Sequence, residues 1–213
     1  KDIWNYDTPE INHKMKKDMT GFCTLVYVID DEIKGIIVDS SIYNKTDNTN
    51  LNKLDKTILF GDDDYNNFFL EMAKQSEKQE INMLMGHYFF LGNEKVFSNY
   101  FSNVIDEEEY VQTIKNSKYL LTASLQSALE SLACGNFPVL FKRFDKNYDE
   151  ELITNLNIPV IKGDNLKQLI ENFSVIINNY PNINNFNIIS FDTIVKNVKE
   201  KIDLYNKLMN NTQ

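Results

Sequence analysis

Hydrophobic positions in this chain fall into short runs separated by stretches with helical spacing, most fully in the segment KYLLTASLQSALESLACGNFPVLF that begins at Lys118. Residues 119–123 and 139–141 are continuous apolar runs of the kind that sit inside a parallel sheet with both faces covered. Between them Ala128, Leu129, Leu132 and Ala133 recur at helical spacing. Ser124 stands at the N-cap, Gly135 where a C-cap glycine belongs, and Pro138 blocks continuation. Strand, helix and strand in so few residues predict a parallel crossover.

The alternation continues on both sides. Strands are predicted at 57–60, 81–85 and 104–105, with helices at about 65–75 and 94–101 between them. Asp106 as N-cap with Glu109 three residues on opens the next helix, whose apolar face is Tyr110, Val111 and Ile114. Beyond the crossover the pattern predicts a helix around 148–155, a strand at 159–161, a helix at 166–178 and a closing helix at about 192–209. Strands alternating with helices predict an α/β fold with a doubly wound parallel sheet.

Upstream the pattern changes. Residues 22–29 and 35–38 read as strands, and Thr8 followed by Pro9 reads as a helix entry after the tail of a strand. The chain is therefore expected to open inside a domain that starts further upstream. The polar stretch 43–56 reads as a linker. It divides the chain into a remnant of an N-terminal α/β domain, 1–42, and a C-terminal domain, 57–213, that includes the closing helix. The Asn-rich stretch 178–187 reads as a loop.

Composition narrows the function. At 213 residues, 42% hydrophobic and 25% charged, the chain can bury a sound core. A net charge of −9 argues against a nucleic-acid footprint and against an anionic membrane surface. No apolar run approaches the roughly 20 residues of a membrane span, and the first residues lack a signal-peptide core. A small ligand and a cytoplasmic location are expected. Cys23 and Cys134 lie in apolar segments and read as buried thiols; two histidines, His13 and His87, cannot build a metal cluster. With no Gly-rich dinucleotide fingerprint, P-loop or GxSxG elbow, no cofactor and no metal are assigned.

Three places could carry chemistry. The helix beginning at Ser124 points its N-terminus to the carboxyl end of the sheet, where backbone N–H groups, Ser124, Gln126 and Ser127 suit a phosphate. Two turns on, Glu130 could lean back and offer acceptors to a vicinal diol such as a ribose, or stand as a solvated helix glutamate. The turn Gly61-Asp62-Asp63-Asp64-Tyr65-Asn66-Asn67 is either a ligand loop or an acidic helix cap, since three consecutive carboxylates cannot all face one cation. His87, after the strand at 81–85, is either a general base or a hydrogen-bonded loop residue. His13, among lysines, reads as exposed.

In this order and spacing the motifs resemble the UDP-sugar hydrolase family of the pseudaminic-acid pathway and its spore-coat polysaccharide relatives, which share the two-domain GT-B glycosyltransferase architecture. The turn 61–67 is similar to the family's Gly-Gly-Ser/Thr-Asp-x-x-Asn, and Ala123-Ser124-Leu125-Gln126-Ser127-Ala128-Leu129-Glu130 to its nucleotide loop with a ribose-binding Glu. Val104-Ile105-Asp106 occupies the place where the family's backbone meets the base. Asn5-Tyr6-Asp7 and Ile29-Asp30-Asp31 resemble segments that close the first domain.

The resemblance implies a UDP-sugar as ligand, contacted by Gly61, Asp64, Asn67, Val104, Ile105, Ser124, Leu125, Gln126, Ser127 and Glu130, with Tyr6, His87 and Arg143 as sugar contacts. It also implies water attack with C–O cleavage, assisted by a histidine in a Gly-x-Gly-His segment that this sequence does not contain, so no catalytic residue is assigned. Two departures bear on binding. Asp62 and Asp63 replace a glycine and a hydroxyl residue, and Lys142-Arg143-Phe144-Asp145 stands where the family has Asn-Gln. A glycosyltransferase donor domain and a degenerate binding domain are the other readings.

Overall fold

The computed structural model describes residues 24–29, 32–43, 54–90 and 92–210. Six strands, β3 (Leu54–Leu59), β4 (Gln79–Leu84), β5 (Phe101–Ile105), β6 (Ser117–Thr122), β7 (Phe137–Phe141) and β8 (Val160–Ile161), form one sheet in the order β5–β4–β3–β6–β7–β8. Every pairing in it is parallel. The helices between them are α2 (Phe68–Lys74), α3 (Asn93–Phe97), α4 (Tyr110–Asn116), α5 (Leu125–Ala133), α6 (Glu150–Leu156) and α7 (Leu166–Asn178).

Successive residues of the central strands enter different cores, as the two-residue period of a strand requires. Ile58, Met83, Leu121 and Val139 pack with Phe69 of α2, Phe97 of α3 and Phe173 of α7. Their neighbours Leu59, Leu84 and Leu120 pack with Tyr110 and Ile114 of α4, while Leu140 joins Leu129 and Leu132 of α5 and Ile153 of α6. Both faces are covered, so the apolar runs are continuous rather than alternating. This is a doubly wound, Rossmann-like α/β fold.

A smaller sheet joins β1 (Leu25–Ile29) and β2 (Glu32–Val38), antiparallel, to β9 (Asn187–Ser190), which runs parallel to β2. The short helix α1 (Ser40–Tyr43) follows β2, and α8 (Phe191–Asn210) follows β9. Ile36, Val38 and Ile42 pack in one cluster with Ala128 and Leu132 of α5, which joins the two sheets through a common core.

Several boundaries differ from the sequence reading, each for a local reason. The helix expected from 65 begins at Phe68, because Asn67 adopts a left-handed backbone (φ 52°) and the Asp64 carboxylate accepts from the N–H groups of Phe69 and Leu70, both at 2.9 Å. The helix expected at 94–101 ends at Phe97, and Phe101 opens β5 with its ring fully buried. Tyr43 ends α1 and residues 54–56 begin β3, whose Leu54 pairs with Ser117, so Tyr43 and 54–56 of the stretch expected as a linker belong to regular elements. The capping box expected at Asp106 is a single turn of 3-10 helix, Glu107–Glu109, with the Asp106 carboxylate accepting from Glu108 N. Strand β9 was hidden behind the Asn-rich loop. Tyr6, Thr8, Pro9, His13, Cys23 and the Asp30-Asp31 pair lie outside the described residues.

Candidate functional site

The chain leaves β3 in one direction along the sheet, to β4 and β5, and then returns to the other side of β3 to build β6, β7 and β8. Connections therefore diverge between the carboxyl ends of β3 and β6, which is where open α/β sheets leave a crevice for a ligand. One bank of this crevice is the turn 61–64 and the other is the N-terminus of α5.

The three aspartates of the turn have different surroundings. Asp64 caps α2, and burial outweighs its helix N–H bonds to leave its carboxyl above the usual range. Asp63 takes the Arg143 guanidinium at 3.1 Å on Oδ1 and the Lys146 ammonium at 2.6 Å on Oδ2. Burial alone would raise its carboxyl, but the Lys146 hydrogen bond and the Arg143 charge outweigh that and hold it below the usual value. The Asp62 side chain makes no hydrogen bond or ion pair among the described residues and reaches solvent. Crowding by the crevice walls, with the Asp63 charge added, raises its carboxyl against the opposing pull of Lys146, His87 and Arg143.

The turn is held rigidly. Tyr88 N donates to Asp62 O at 2.7 Å, and residues 63 and 88 form an isolated parallel bridge. Gly86 lies directly under this crossing: a Cβ there would overlap Gly61 O and come within 2.6 Å of the Asp62 carbonyl group. Arg143 closes the structure from the far side. Its Nη1 donates to Asp63 O at 2.5 Å, its Nε and Nη2 fork onto Asp145 at 2.9 and 2.7 Å, and its Cζ lies over the Phe60 ring, 4.5 Å from the centroid. Tyr148 ties the same loop to β6, accepting from Arg143 N and donating to Ala123 O.

On the other bank Ser124 caps α5, its Oγ accepting from Ser127 N at 3.2 Å. The far end closes in a Schellman motif, with Asn136 N bonded to Ser131 O and Gly135 in the left-handed region at φ 76°. Leu125 is half-buried and packs against the core that α5 shares with the small sheet. Glu130 is fully buried. Its Oε1 accepts from Thr24 Oγ1 at 2.8 Å and Gln126 Nε2 at 3.1 Å, and its Oε2 from the Tyr110 hydroxyl at 2.6 Å, which also lies 2.8 Å from Ser127 Oγ. Desolvation raises the Glu130 carboxyl despite these donors. Both oxygens are thus engaged inside the protein, and the solvated-glutamate reading is overturned by burial.

The remaining expected residues are spread along the same edge of the sheet. Val104 and Ile105 lie on the edge strand β5, paired with Met83 and Leu84, and the Ile105 carbonyl accepts from Met85 N at 2.9 Å. At about 4.8 Å per strand, β5 stands roughly 14 Å from β6. Asn67 contributes its backbone conformation and no side-chain cap. His87 is exposed at the end of β4, edge-on to Tyr88 at 5.1 Å, near enough to Asp62 and Glu107 for its charge to act on both. Cys134 is half-buried, its Sγ 3.9 Å from Ile42 O.

Thr24, Gly86 and Lys146 also belong to these networks. Only Gly86 carried a signal, a glycine directly after a strand. Helical spacing accounts for the apolar ring of Tyr110 and not for its hydroxyl, which holds Glu130.

Among the described residues no group of three or more His, Cys, Asp or Glu could hold a metal ion, and no helix is long and apolar enough to cross a membrane. The crevice offers a ligand the N-terminus of α5 on one bank and the Asp62 carboxylate on the other. Comparison with protein-family models, with curated proteins and with solved structures found no match.

Proposed function

We propose that this chain is a cytoplasmic nucleotide-sugar-binding α/β unit of the GT-B type, and that in a surface-glycan or nonulosonic-acid pathway it serves UDP-sugar hydrolysis. The observation that carries the reading is the switch point itself: the turn 61–64 and the Ser124-capped N-terminus of α5 face one crevice at the carboxyl ends of β3 and β6. The diphosphate sits on the first turn of α5, where N–H groups and the helix dipole favour an anion. The base reaches along the sheet toward Val104 and Ile105.

Glu130 meets the ribose only by exchanging the Thr24 or Gln126 hydrogen bond on Oε1 for a ribose hydroxyl, since Tyr110 holds the other oxygen. A second reading is favoured by the same engagement of Glu130 and by the unpaired charge of Asp62: a binding or partner domain that keeps the sheet and has no nucleotide affinity. Calorimetric titration with UDP and with uridine separates the two. The nucleotide reading expects saturable heat with UDP at least about tenfold tighter than with uridine, because the helix N-terminus acts on phosphate. No heat with UDP from a protein that melts cooperatively supports the second reading.

A further inference from the structure

Beside Arg143, on the face of the sheet away from α5, a cavity of about 340 Å³ opens between α2, α7 and the loops that follow β7 and β8. Its floor is apolar, with Leu169 from α7 only 2% exposed. Its mouth is not covered. Phe144 is 75% exposed and Phe68 39%, and the two rings stand edge to face at 5.1 Å. Phe144 is fixed at this costly exposure because the residue before it, Arg143, is bolted to Asp63 and Asp145. The opposite lip is the loop Lys162-Gly163-Asp164. It hugs Leu169 so closely that a Cβ on Gly163 would fall 2.8 Å from Leu169 N. Lys162 and Asp164 are exposed, and neither side chain has an ion pair or hydrogen bond among the described residues.

We propose that this cavity binds a single sugar ring. The occupant follows from the combination of groups. A pyranose has an apolar C–H face and a rim of hydroxyls; the electron-rich face of an exposed phenylalanine suits the first. A neighbouring ammonium and carboxylate, one only donating and the other only accepting, suit adjacent hydroxyls of the second. Lys142 and Arg143, which also line the cavity, are already paired with Glu150 and with Asp63 and Asp145, so the uncompensated charges are Asp164, which repels a simple anion, and Lys162, which repels a simple cation. The volume lies near the lower end of small-molecule sites, enough for one ring and too small for a nucleotide-sugar. The site shares Arg143 with the loop bordering the crevice, yet it does not depend on nucleotide binding there.

Amide-resolved NMR titration of the full chain with methyl α-glucoside and N-acetylglucosamine tests this. The expected result is saturable shifts for at least one sugar, clustered at Phe68, Phe144, Gly163 and Asp164, with affinity about tenfold weaker in Phe144→Ser and in Asp164→Asn. Both positions are exposed, so a dispersed spectrum confirms folding; if one variant fails to fold, Lys162→Gln replaces it. Absence of saturable shifts up to about 50 mM, shifts centred on residues 124–127, or affinity unchanged in two folded variants would each overturn the proposal. Adding UDP in a separate arm keeps failure of the crevice reading distinguishable, because its shifts include Ser124 to Ser127, which no sugar in the cavity touches.

Discussion

The Arg143 guanidinium reaches across from the end of β7 to Asp63 at the end of β3, donating to its carboxylate at 3.1 Å and its main-chain carbonyl at 2.5 Å. The Arg143 side chain is 3% exposed and that of Asp63 12%, so the pair holds two strand-end loops together in a largely dry setting. Replacing Arg143 by Lys keeps the charge and loses the fork onto Asp145 and the planar contact with Phe60. Unfolding in urea should show a loss of about 2 kcal/mol, less than the roughly 3–5 kcal/mol for breaking a buried ion pair because the charge is kept. A variant within about 0.5 kcal/mol of the parent would show that the loop does not depend on this clasp.

Glu130 satisfies three donors, on Thr24, Tyr110 and Gln126. Glu130→Ala leaves all of them without that acceptor and opens a cavity, so stability should fall by about 3 kcal/mol and the melting midpoint by roughly 10 °C. The pH dependence has a definite sign. Burial holds the folded carboxyl above its ordinary 4.5, so the folded state binds the proton more tightly than the unfolded chain. Its favourable contribution is full below about pH 4.5 and is lost as pH rises through the raised folded value. Glu130→Gln should flatten the stability profile in that window, as thermal melts across pH 4 to 8 would reveal.

Gly86 tolerates no side chain because the backbone of residues 61 and 62 occupies the space. Gly86→Ala should therefore destabilise by several kcal/mol, or displace the turn 61–64. Circular dichroism melts and amide shifts of Gly61 to Asp64 would report which. An unperturbed, equally stable variant would contradict the close crossing of the two loops.

Asp62 opposes an anion at the crevice while it is ionised. Asp62→Ser should tighten UDP by about fivefold, on the order of 1 kcal/mol for one charge removed near a phosphate in a partly screened site. Its carboxyl is raised by burial and by Asp63, so protonation removes the opposition first as pH falls. The difference between parent and variant should shrink toward low pH. A constant difference from pH 4 to 8 would remove Asp62 from the account.

The main sheet was readable because its strands are buried on both faces: runs such as Leu120-Leu121 and Val139-Leu140 feed two cores and leave a continuous apolar signal. The helix at 166–178 matched the structure residue for residue, since Asn165 caps it and its apolar stripe is unbroken. Strand β9 was not readable. Its four residues pair, among the described residues, with β2 alone and are mostly half-exposed, so the surrounding asparagines dominate the pattern. The site was legible in its two banks and illegible in its wiring. Sequence spacing placed Ser124 and the turn 61–64 at strand ends. It could not tell that Asp63 pairs 80 residues away with Arg143, or that Thr24 finds Glu130 across 106 residues. Such contacts depend on strand order, which local periodicity does not encode.

The most direct test of the nucleotide reading is amide-resolved NMR with UDP. The account predicts saturable shifts on both banks of the switch point, at Gly61 to Asp64 and at Ser124 to Ser127, with smaller ones near Val104 and Ile105. Shifts confined to other surfaces, or none in a folded protein at millimolar UDP, would contradict it.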